Sequence, residues 1–257
     1  MTHQNILIGN NTFSSDWLVS LKKINKEHII LIDFSNGELL EKTIKDKNIN
    51  YILPLSRKDY EIIKNKSYDN ITILYPNSEL FELLNNKLSF TEYMLDNFSN
   101  LIPCVYYLNK RQLAKIEFPV IFKPIYSTNG TNMEIYHNET EFLKCRHKII
   151  IQKFIADEYE YSAYILSING KIINWKVIRC KYPKYTIKTS NFSKYENVKN
   201  FDINVFEKIV SKLNYTGGMS IDFKFNDHTK DMYIFEINPR FGGSAFTNNF
   251  IYELLCI

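Results

Sequence analysis

Apolar positions in the first third of the chain follow two alternating periods. Short apolar runs rich in β-branched residues lie at residues 5–9, 28–33, 49–55 and 71–76. Between these runs, apolar residues recur at helical spacing over residues 14–25, 36–49 and 56–66. Strand and helix signals that alternate over such short distances are typical of a small parallel sheet covered by helices. We therefore expect an α/β domain over residues 1–80.

A different pattern begins near residue 76. Helical periodicity is predicted for residues 77–98 and 203–214. Strand-like runs lie at residues 118–126, 133–137 and 149–155. Two β-hairpins are predicted at residues 160–180 and 218–241, and Asn169-Gly170 is expected to form the turn of the first. These antiparallel signals predict an α+β domain over residues 81–257, with a smaller subdomain at residues 100–150.

The last hairpin brings acidic residues onto one face of a sheet. Alternation along residues 232–238 assigns one face to Tyr233, Phe235 and Ile237. The opposite face then carries Ile234, Glu236 and Asn238. On the partner strand, Asp222 faces away from Ile221 and Phe223. Because Asp222 and Glu236 are both even-numbered, an even-sum antiparallel register would place their carboxylates side by side.

Two carboxylates in one site repel each other unless a cation lies between them. With the amide oxygen of Asn238 they form an all-oxygen ligand set, which suits Mg²⁺ or Mn²⁺ and does not suit zinc. Arg240 follows closely, and its guanidinium could hold a phosphate oxygen. Gly242 and Gly243 would let the backbone approach a ligand. Taken alone, the hairpin equally fits a solvated polar face that ends in a turn.

The acidic hairpin resembles the metal-binding end of the ATP-grasp superfamily. Asp222 is followed by the pattern E-x-N-P-R at residues 236–240. This pattern is most similar to the branch that contains carbamoyl phosphate synthase large-chain-like and biotin-carboxylase-like carboxylate–amine ligases. The resemblance covers residues 77–250, and residues 1–80 resemble the α/β domain that precedes the ATP-grasp fold. It implies a fold in which two subdomains clamp a nucleotide.

Further motifs of the family stand in the expected order. Asn86-Lys87 resembles the Asp-Lys motif, with Asn in place of the acid. FPVIFKP (118–124) resembles the PVxxKP strand, and STNGTN (127–132) resembles the glycine-containing loop over the phosphates. IIIQKFI (149–155) resembles the strand whose backbone meets adenine.

The resemblance implies a role for each motif. Lys87 and Lys123 would bind the phosphates, together with the loop residues Ser127 and Gly130. Adenine binding falls to Gln152, Lys153 and Phe154, whose main chain offers donors and acceptors. Glu160, in preference to Glu158, is expected at the ribose. ATP and Mg²⁺ are thus the expected cofactors.

Metal binding and catalysis fall to the acidic hairpin and its surroundings. The implied metal ligands are Asp222, Glu236 and Asn238. The implied catalytic residues are Arg240, which would stabilise phosphoryl or acyl-phosphate oxygens, and Lys123. Lys176 and Arg179 lie near positions where relatives carry basic residues, although a solvated strand face explains them equally well.

The same resemblance implies an ADP-forming ligase that makes carbon–nitrogen bonds. A carboxylate would attack the γ-phosphate to give an acyl phosphate, and an amine, less often a thiol, would then displace phosphate. The alternative is a degenerate nucleotide-binding module without turnover, which Asn86 and the single glycine of the 127–132 loop favour. The metal-binding acids argue against this alternative, because a pure binder has little reason to keep carboxylates whose repulsion only Mg²⁺ relieves. We do not favour a purely structural or interaction role.

Composition and charge narrow the class of partner. The net charge of +4 and the pI of about 8.6 are too mild to indicate nucleic-acid binding. No apolar run has membrane-span length, so we expect no membrane partner. The four cysteines stand alone, which indicates a reduced, cytoplasmic protein. The resemblance to the ATP-grasp superfamily implies small-molecule carboxylate and amine substrates, selected by the N-terminal domain and by loops such as residues 180–200. A homodimer is compatible with the sequence.

Overall fold

The computed structural model describes most of the chain. The described residues are 5–9, 28–66, 68–106, 116–127, 130–144, 150–183, 187, 195–226, 228–243, 245 and 250–255. The helix predicted at residues 14–25 and residues 184–186 and 188–194 of the predicted loop at 180–200 lie outside them. No helix within these ranges has the length and apolarity needed to span a bilayer.

A parallel sheet forms near the N-terminus, as predicted. Its strands are β1 (Asn5–Gly9), β2 (Ile29–Ile32), β3 (Ile49–Leu53) and β4 (Thr72–Ile73). They lie in the order β2-β1-β3-β4, and each pair is parallel. The connecting helices are α1 (Gly37–Asp46) and α2 (Arg57–Ile63). Ser56 and Asp59 begin α2 with a reciprocal capping box.

Two helices divide the helical stretch predicted at residues 77–98. They are α3 (Ser78–Asn85) and α4 (Lys87–Phe98). The helical conformation is interrupted at Asn86, whose side chain accepts hydrogen bonds from the N–H groups of Leu88 and Ser89. Asn86 is therefore the N-cap of α4, and Lys87 occupies the first helical position.

A small antiparallel sheet follows. Its strands are β5 (Val120–Lys123), β6 (Glu134–Tyr136) and β7 (Ile150–Lys153), in the order β6-β5-β7. Helix α5 (Glu139–Phe142) packs on one face, where a core forms from Val120, Phe122, Tyr136, Phe142 and Ile151. On the opposite face, Ile121 pairs with Gln152, and Lys123 lies two positions further along β5.

The largest sheet is also antiparallel. Its strands are β8 (Tyr159–Ile168), β9 (Lys171–Lys181), β10 (Tyr195–Asn197), β11 (Gly217–Phe225) and β12 (Met232–Asn238), in the order β10-β9-β8-β11-β12. Helices α6 (Asn204–Lys212) and α7 (Phe250–Leu254) complete this part of the fold. Asn169 and Gly170 have φ values of 48° and 73°, which fit the predicted two-residue turn.

The two faces of this sheet have different neighbours. Met219, Ile221 and Phe223 of β11 are fully buried in a core shared with Phe90 of α4 and Phe206 of α6. On the other face, Tyr164 and Leu166 of β8 pack with Ile6 and Ile8 of the parallel sheet. The polar residues Ser162 and Asp222, which pair across β8 and β11, extend along this second face.

A β-bulge in the last hairpin corrects the predicted faces of residues 232–238. Asp222 pairs with Glu236, but the next pair is Phe223 with Ile234, so Phe235 is an extra residue in β12. The inserted residue shifts the alternation. Ile234 and Ile237 are therefore both buried in the core, whereas Tyr233 and Phe235 are only half-buried. The predicted buried aromatic face does not form.

Candidate active site

Asp222 and Glu236 lie directly opposite each other on β11 and β12, in the predicted even-sum register. Ser162 of β8 donates its hydroxyl hydrogen bond to Oδ1 of Asp222. The amide nitrogen of Asn238 lies 3.5 Å from Oδ2 of Asp222. Because the amide nitrogen makes this contact, the amide oxygen is the atom that a metal ion would use. The three predicted ligands are thus neighbours on one sheet face.

Lys87 supplies the positive charge beside this cluster. Its ammonium lies 2.7 Å from Oε1 of Glu236, and the side chain is only 4% exposed. The same ammonium donates to the carbonyl oxygen of Ser127 at 3.3 Å. The buried ammonium of Lys87 offsets the repulsion between the paired carboxylates. The oxygen donors of the cluster fit a hard divalent cation.

Lys123 lies at the end of β5 and reaches β12. It is 6% exposed, and its ammonium donates to the carbonyl oxygen of Phe235 at 3.3 Å. The ammonium also lies 5.5 Å from the centroid of the Phe235 ring. The pKa of Lys123 is lowered to about 7, mainly by burial; the charge of Lys87 adds to this effect, and the charges of Glu236 and Glu160 oppose it. An added anion would restore the charged form of this lysine.

The main-chain N–H groups of Lys153 and Phe154, at the end of β7, are less available to adenine than expected. The N–H of Lys153 donates to the carbonyl of Cys104, and the N–H of Phe154 donates to the carbonyl of Pro119. The expectation that these residues offer adenine main-chain donors is therefore wrong, because both N–H groups bind within the protein. A contact to adenine at these two residues would use their carbonyl oxygens. The Lys153 side chain forms an ion pair with Glu117.

Two predicted nucleotide-binding residues carry buried oxygen atoms that have no hydrogen-bond partner among the described residues. Gln152 is 1% exposed, and its Oε1 accepts no hydrogen bond from the described residues. The hydroxyl of Ser127 is also buried and unpartnered within the same ranges. Gly130 has a φ of 70°, a backbone conformation that favours glycine in a tight loop.

Glu160 and Glu158 have different surroundings. Glu158 lies 3.1 Å from the ammonium of Lys181, and both side chains are largely exposed. Glu160 lies two residues before Ser162 on β8, which places it on the face that carries Asp222. It also lines a small cavity with Ser162, Ile178, Cys180, Tyr182 and Tyr195. This placement favours the predicted choice of Glu160 over Glu158.

Arg240 lies after β12 and is half-buried. Its Nη1 is 3.5 Å from the carbonyl oxygen of Phe241. Burial raises the pKa of the Tyr75 hydroxyl, and the charges of Arg57 and Arg240 oppose that effect. Tyr75 follows β4, so the charge of Arg240 acts on a residue at the end of the parallel sheet. Nearby, Gly242 packs against Tyr164 of β8.

The sequence match and the structure point to one family. A profile described as the ATP-grasp domain matches residues 84–244, which is more than half of the chain. The chain belongs to the ATP-grasp family. The predicted family is thereby confirmed, and this family comprises ATP-dependent ligases.

Three relatives illustrate the extent of the similarity. The chain is 22% identical over 272 residues to a formate-dependent phosphoribosylglycinamide formyltransferase of Prochlorococcus marinus, covering 91% of this chain and 69% of that protein. It is 25% identical over 268 residues to a carbamoyl phosphate synthase large chain of Methanobrevibacter smithii, covering 92% of this chain but only 24% of that one. D-alanine–D-alanine ligase from Bacillus anthracis, solved in complex with ATP, superposes with a TM-score of 0.55 and 16% identity, covering 93% and 87% of the two chains. The structural likeness shows the shared ATP-grasp fold.

Other basic residues of this ATP-grasp protein form pairs away from the acidic cluster. Lys176 pairs with Glu253, and its ammonium lies 4.0 Å from the ring centroid of Phe250. Arg179 pairs with Glu196 at 2.8 Å. The Arg179 side chain is 40% exposed, which fits a solvated strand face, whereas the Lys176 side chain is only 15% exposed and does not fit that explanation.

Two residues of the site carry no role in the sequence-based assignment. Ser162 contacts Asp222 from the neighbouring strand, and Lys224 lies buried two residues after Asp222 on β11. The alternation of β11 already placed Lys224 on the acidic face. Its burial, however, depends on Phe154 and Asp157, which belong to a distant part of the sequence. Within the described residues no group of three or more His, Cys, Asp or Glu side chains could hold a metal.

Proposed function

We propose that this ATP-grasp protein is an ATP-dependent ligase that forms ADP. It activates a small-molecule carboxylate as an acyl phosphate and joins it to an amine or another nucleophile. One observation carries the proposal: Asp222 and Glu236 are paired in register beside two buried lysines, Lys87 and Lys123. Paired acids and buried cations on facing elements suit a magnesium nucleotide, which brings both charges at once.

In this proposal, Asp222, Glu236 and Asn238 hold Mg²⁺ or Mn²⁺. The metal ion would neutralise charge on the phosphate oxygens. Lys87 exchanges its ion pair with Glu236 for a phosphate oxygen. Ser162 holds Asp222 in orientation through its hydroxyl hydrogen bond.

Lys123 and Arg240 support phosphoryl transfer in this proposal. Lys123 takes up a proton when the phosphates arrive, because anions favour its charged form. Arg240 stabilises the oxygens of the transferred phosphoryl group or of the acyl phosphate. The substrate carboxylate is the nucleophile, so the protein positions the reactants and supplies charge. Ser127 and Gly130 cover the phosphates, and Glu160 receives the ribose.

The remaining assignments complete the proposal. Residues 1–80 act as the domain that precedes the ATP-grasp fold and help select the acceptor. The core that Ile6 and Ile8 of the parallel sheet share with Tyr164 of β8 supports this proposal. Residues 81–257 form the ATP-grasp domain, and residues 100–150 form its lid. We place the protein in the cytoplasm, with small-molecule substrates.

Nucleotide binding and ADP release together test the proposed function. Thermal unfolding is first measured with Mg²⁺ and a non-hydrolysable ATP analogue, and we expect a rise in the midpoint that requires both components. ADP release is then measured across a panel of amino acids, bicarbonate and sugar-linked acids, each with and without an amine. Absence of any stabilisation contradicts the proposal. Binding without ADP release on any substrate favours the degenerate module.

A further inference from the structure

Lys224 is a buried lysine that the proposed phosphoryl transfer does not use. It is 6% exposed, and its ammonium donates to the carbonyl oxygen of Asp157 at 3.3 Å. The ammonium also lies 5.6 Å from the ring centroid of Phe154. Burial lowers the pKa of Lys224, while Glu160 and Asp157 oppose that effect. A lysine has three donors, so further acceptors can be accommodated at this ammonium.

The position of Lys224 corresponds to the nucleoside end of the site. It lies two residues after Asp222 on β11, which is about 7 Å along an extended strand. If Asp222 holds the metal ion at the phosphates, Lys224 lies further from the phosphates and closer to the base. Phe154 lies immediately after β7, the strand predicted to meet adenine.

Gln152 offers the complementary group in the same region. It shares a sheet face with Ile121 and Lys123, and Phe154 lies two residues further along. Its buried Oε1 has no partner among the described residues. A buried acceptor left unpaired is costly, and a ligand that donates to it removes that cost.

The two purines can both be matched by one fixed acceptor and one flexible cationic donor. Adenine offers its N6 amino group as a donor and N7 as an acceptor. Guanine offers N–H donors on its pairing edge together with O6 and N7 as acceptors. The amide oxygen of Gln152 can accept from either base, whereas the ammonium of Lys224 can donate to O6 of guanine, an acceptor that adenine lacks.

We propose that Gln152 and Lys224 form a base pocket that accepts guanine as well as adenine nucleotides. This inference rests on the proposed function, since it needs the nucleotide to lie with its phosphates at Asp222. In this arrangement Lys224 is a specificity-determining residue, because the carbonyl O6 of guanine requires a donor that adenine does not.

Binding of two non-hydrolysable analogues tests the inference without any turnover. The whole chain is titrated with AMP-PNP and with GMP-PNP, each with Mg²⁺, by calorimetry. We expect dissociation constants within about tenfold of each other, and Lys224→Met should weaken GMP-PNP by about tenfold or more while changing AMP-PNP by less than about threefold. Gln152→Leu should weaken both analogues alike. Lys212→Met, on the exposed side of α6, is the matched control.

The outcomes separate the inference from the proposed function. If AMP-PNP binds and GMP-PNP binds more than about a hundredfold more weakly, the inference is wrong and the proposed function stands. If Lys224→Met weakens both analogues equally and lowers the unfolding midpoint, Lys224 only anchors the Asp157 loop, and the inference is again wrong. If neither analogue binds, the proposed function fails and the inference fails with it. The wild-type ratio decides the matter even if Lys224→Met does not fold.

Discussion

At the scale of single residues, the ion pair between Lys87 and Glu236 places a positive charge against the acidic cluster. Lys87 is nearly fully buried, and its ammonium contacts Glu236 and the Ser127 carbonyl. A buried charge without a partner is strongly destabilising. The two side chains belong to elements separated by 149 positions, so their contact also fixes α4 against β12.

Replacing Glu236 by glutamine tests the metal assignment while it keeps the size of the side chain. We expect Glu236→Gln to lower metal-dependent ADP formation by about 100-fold or more, because the carboxylate that would hold Mg²⁺ is lost. ADP release at varied Mg²⁺ measures this effect. Glu61→Gln, which removes a carboxylate from an exposed pair with Lys64, is the control and should be unchanged. Turnover near the wild-type level would show that Glu236 does not bind the metal.

The low pKa of Lys123 predicts proton uptake on nucleotide binding. At pH 8 the ammonium, with a pKa of about 7, is mostly deprotonated. Phosphate oxygens favour the charged form, so binding should take up about one proton. Calorimetry in phosphate and Tris buffers measures the uptake from the difference in apparent enthalpy. Lys123→Met should abolish that difference, and equal enthalpies for the wild type would contradict the assignment.

The same pKa predicts how Lys123 affects stability without nucleotide. Between pH 7 and the ordinary lysine pKa of 10.5, the unfolded chain holds a proton that the folded chain has released. The stability of the wild type relative to Lys123→Met should therefore rise as the pH increases from 7 to 9. Urea unfolding of both proteins at several pH values measures the difference. A difference that is independent of pH would show that Lys123 is charged in the folded state.

At the scale of elements, the even numbers of Asp222 and Glu236 on two antiparallel strands were enough to predict that an even-sum register would bring them into contact. Even numbering on both strands limits the register, and apolar alternation identifies the buried face of β11. The bulge at Phe235 was not predictable, because an inserted residue leaves no change in the local pattern of residue types. The burial of Lys87, Lys123 and Lys224 was equally hidden, since it results from packing between distant elements.

The cap of α4 is the element that places Lys87. Asn86→Ala removes the acceptor for two N–H groups and should lower the free energy of unfolding by about 1 kcal/mol. Asn86→Asp keeps the acceptor and adds a negative charge at the helix N-terminus, so it should be neutral or slightly stabilising. Urea unfolding measures both variants. If Asn86→Ala is as stable as the wild type, the side-chain cap does not stabilise α4.

At the scale of the whole molecule, two glycines at the start of β11 allow the parallel sheet and the largest sheet to meet. A Cβ at Gly217 would lie 2.9 Å from the carbonyl oxygen of Leu74, and the residue has a φ of 128°. A Cβ at Gly218 would lie 2.4 Å from the Phe241 ring. The core between the two sheets includes Ile6 from β1 and Tyr164 from β8. The parallel sheet is therefore packed directly against the sheet that carries Asp222 and Glu236.

Gly217→Ala should weaken the contact between the sheets. The added methyl group meets backbone atoms, and the positive φ is unfavourable for alanine, so we expect a loss of about 2–4 kcal/mol in the free energy of unfolding. Calorimetric unfolding should broaden or divide into two transitions, because the parallel sheet can then separate first. Gly37→Ala is the matched control, since its added Cβ would meet no atom of the described residues within 4 Å, apart from its chain neighbours and the backbone of its own helix α1. A single transition with wild-type stability for Gly217→Ala would show that the two sheets do not depend on this close approach.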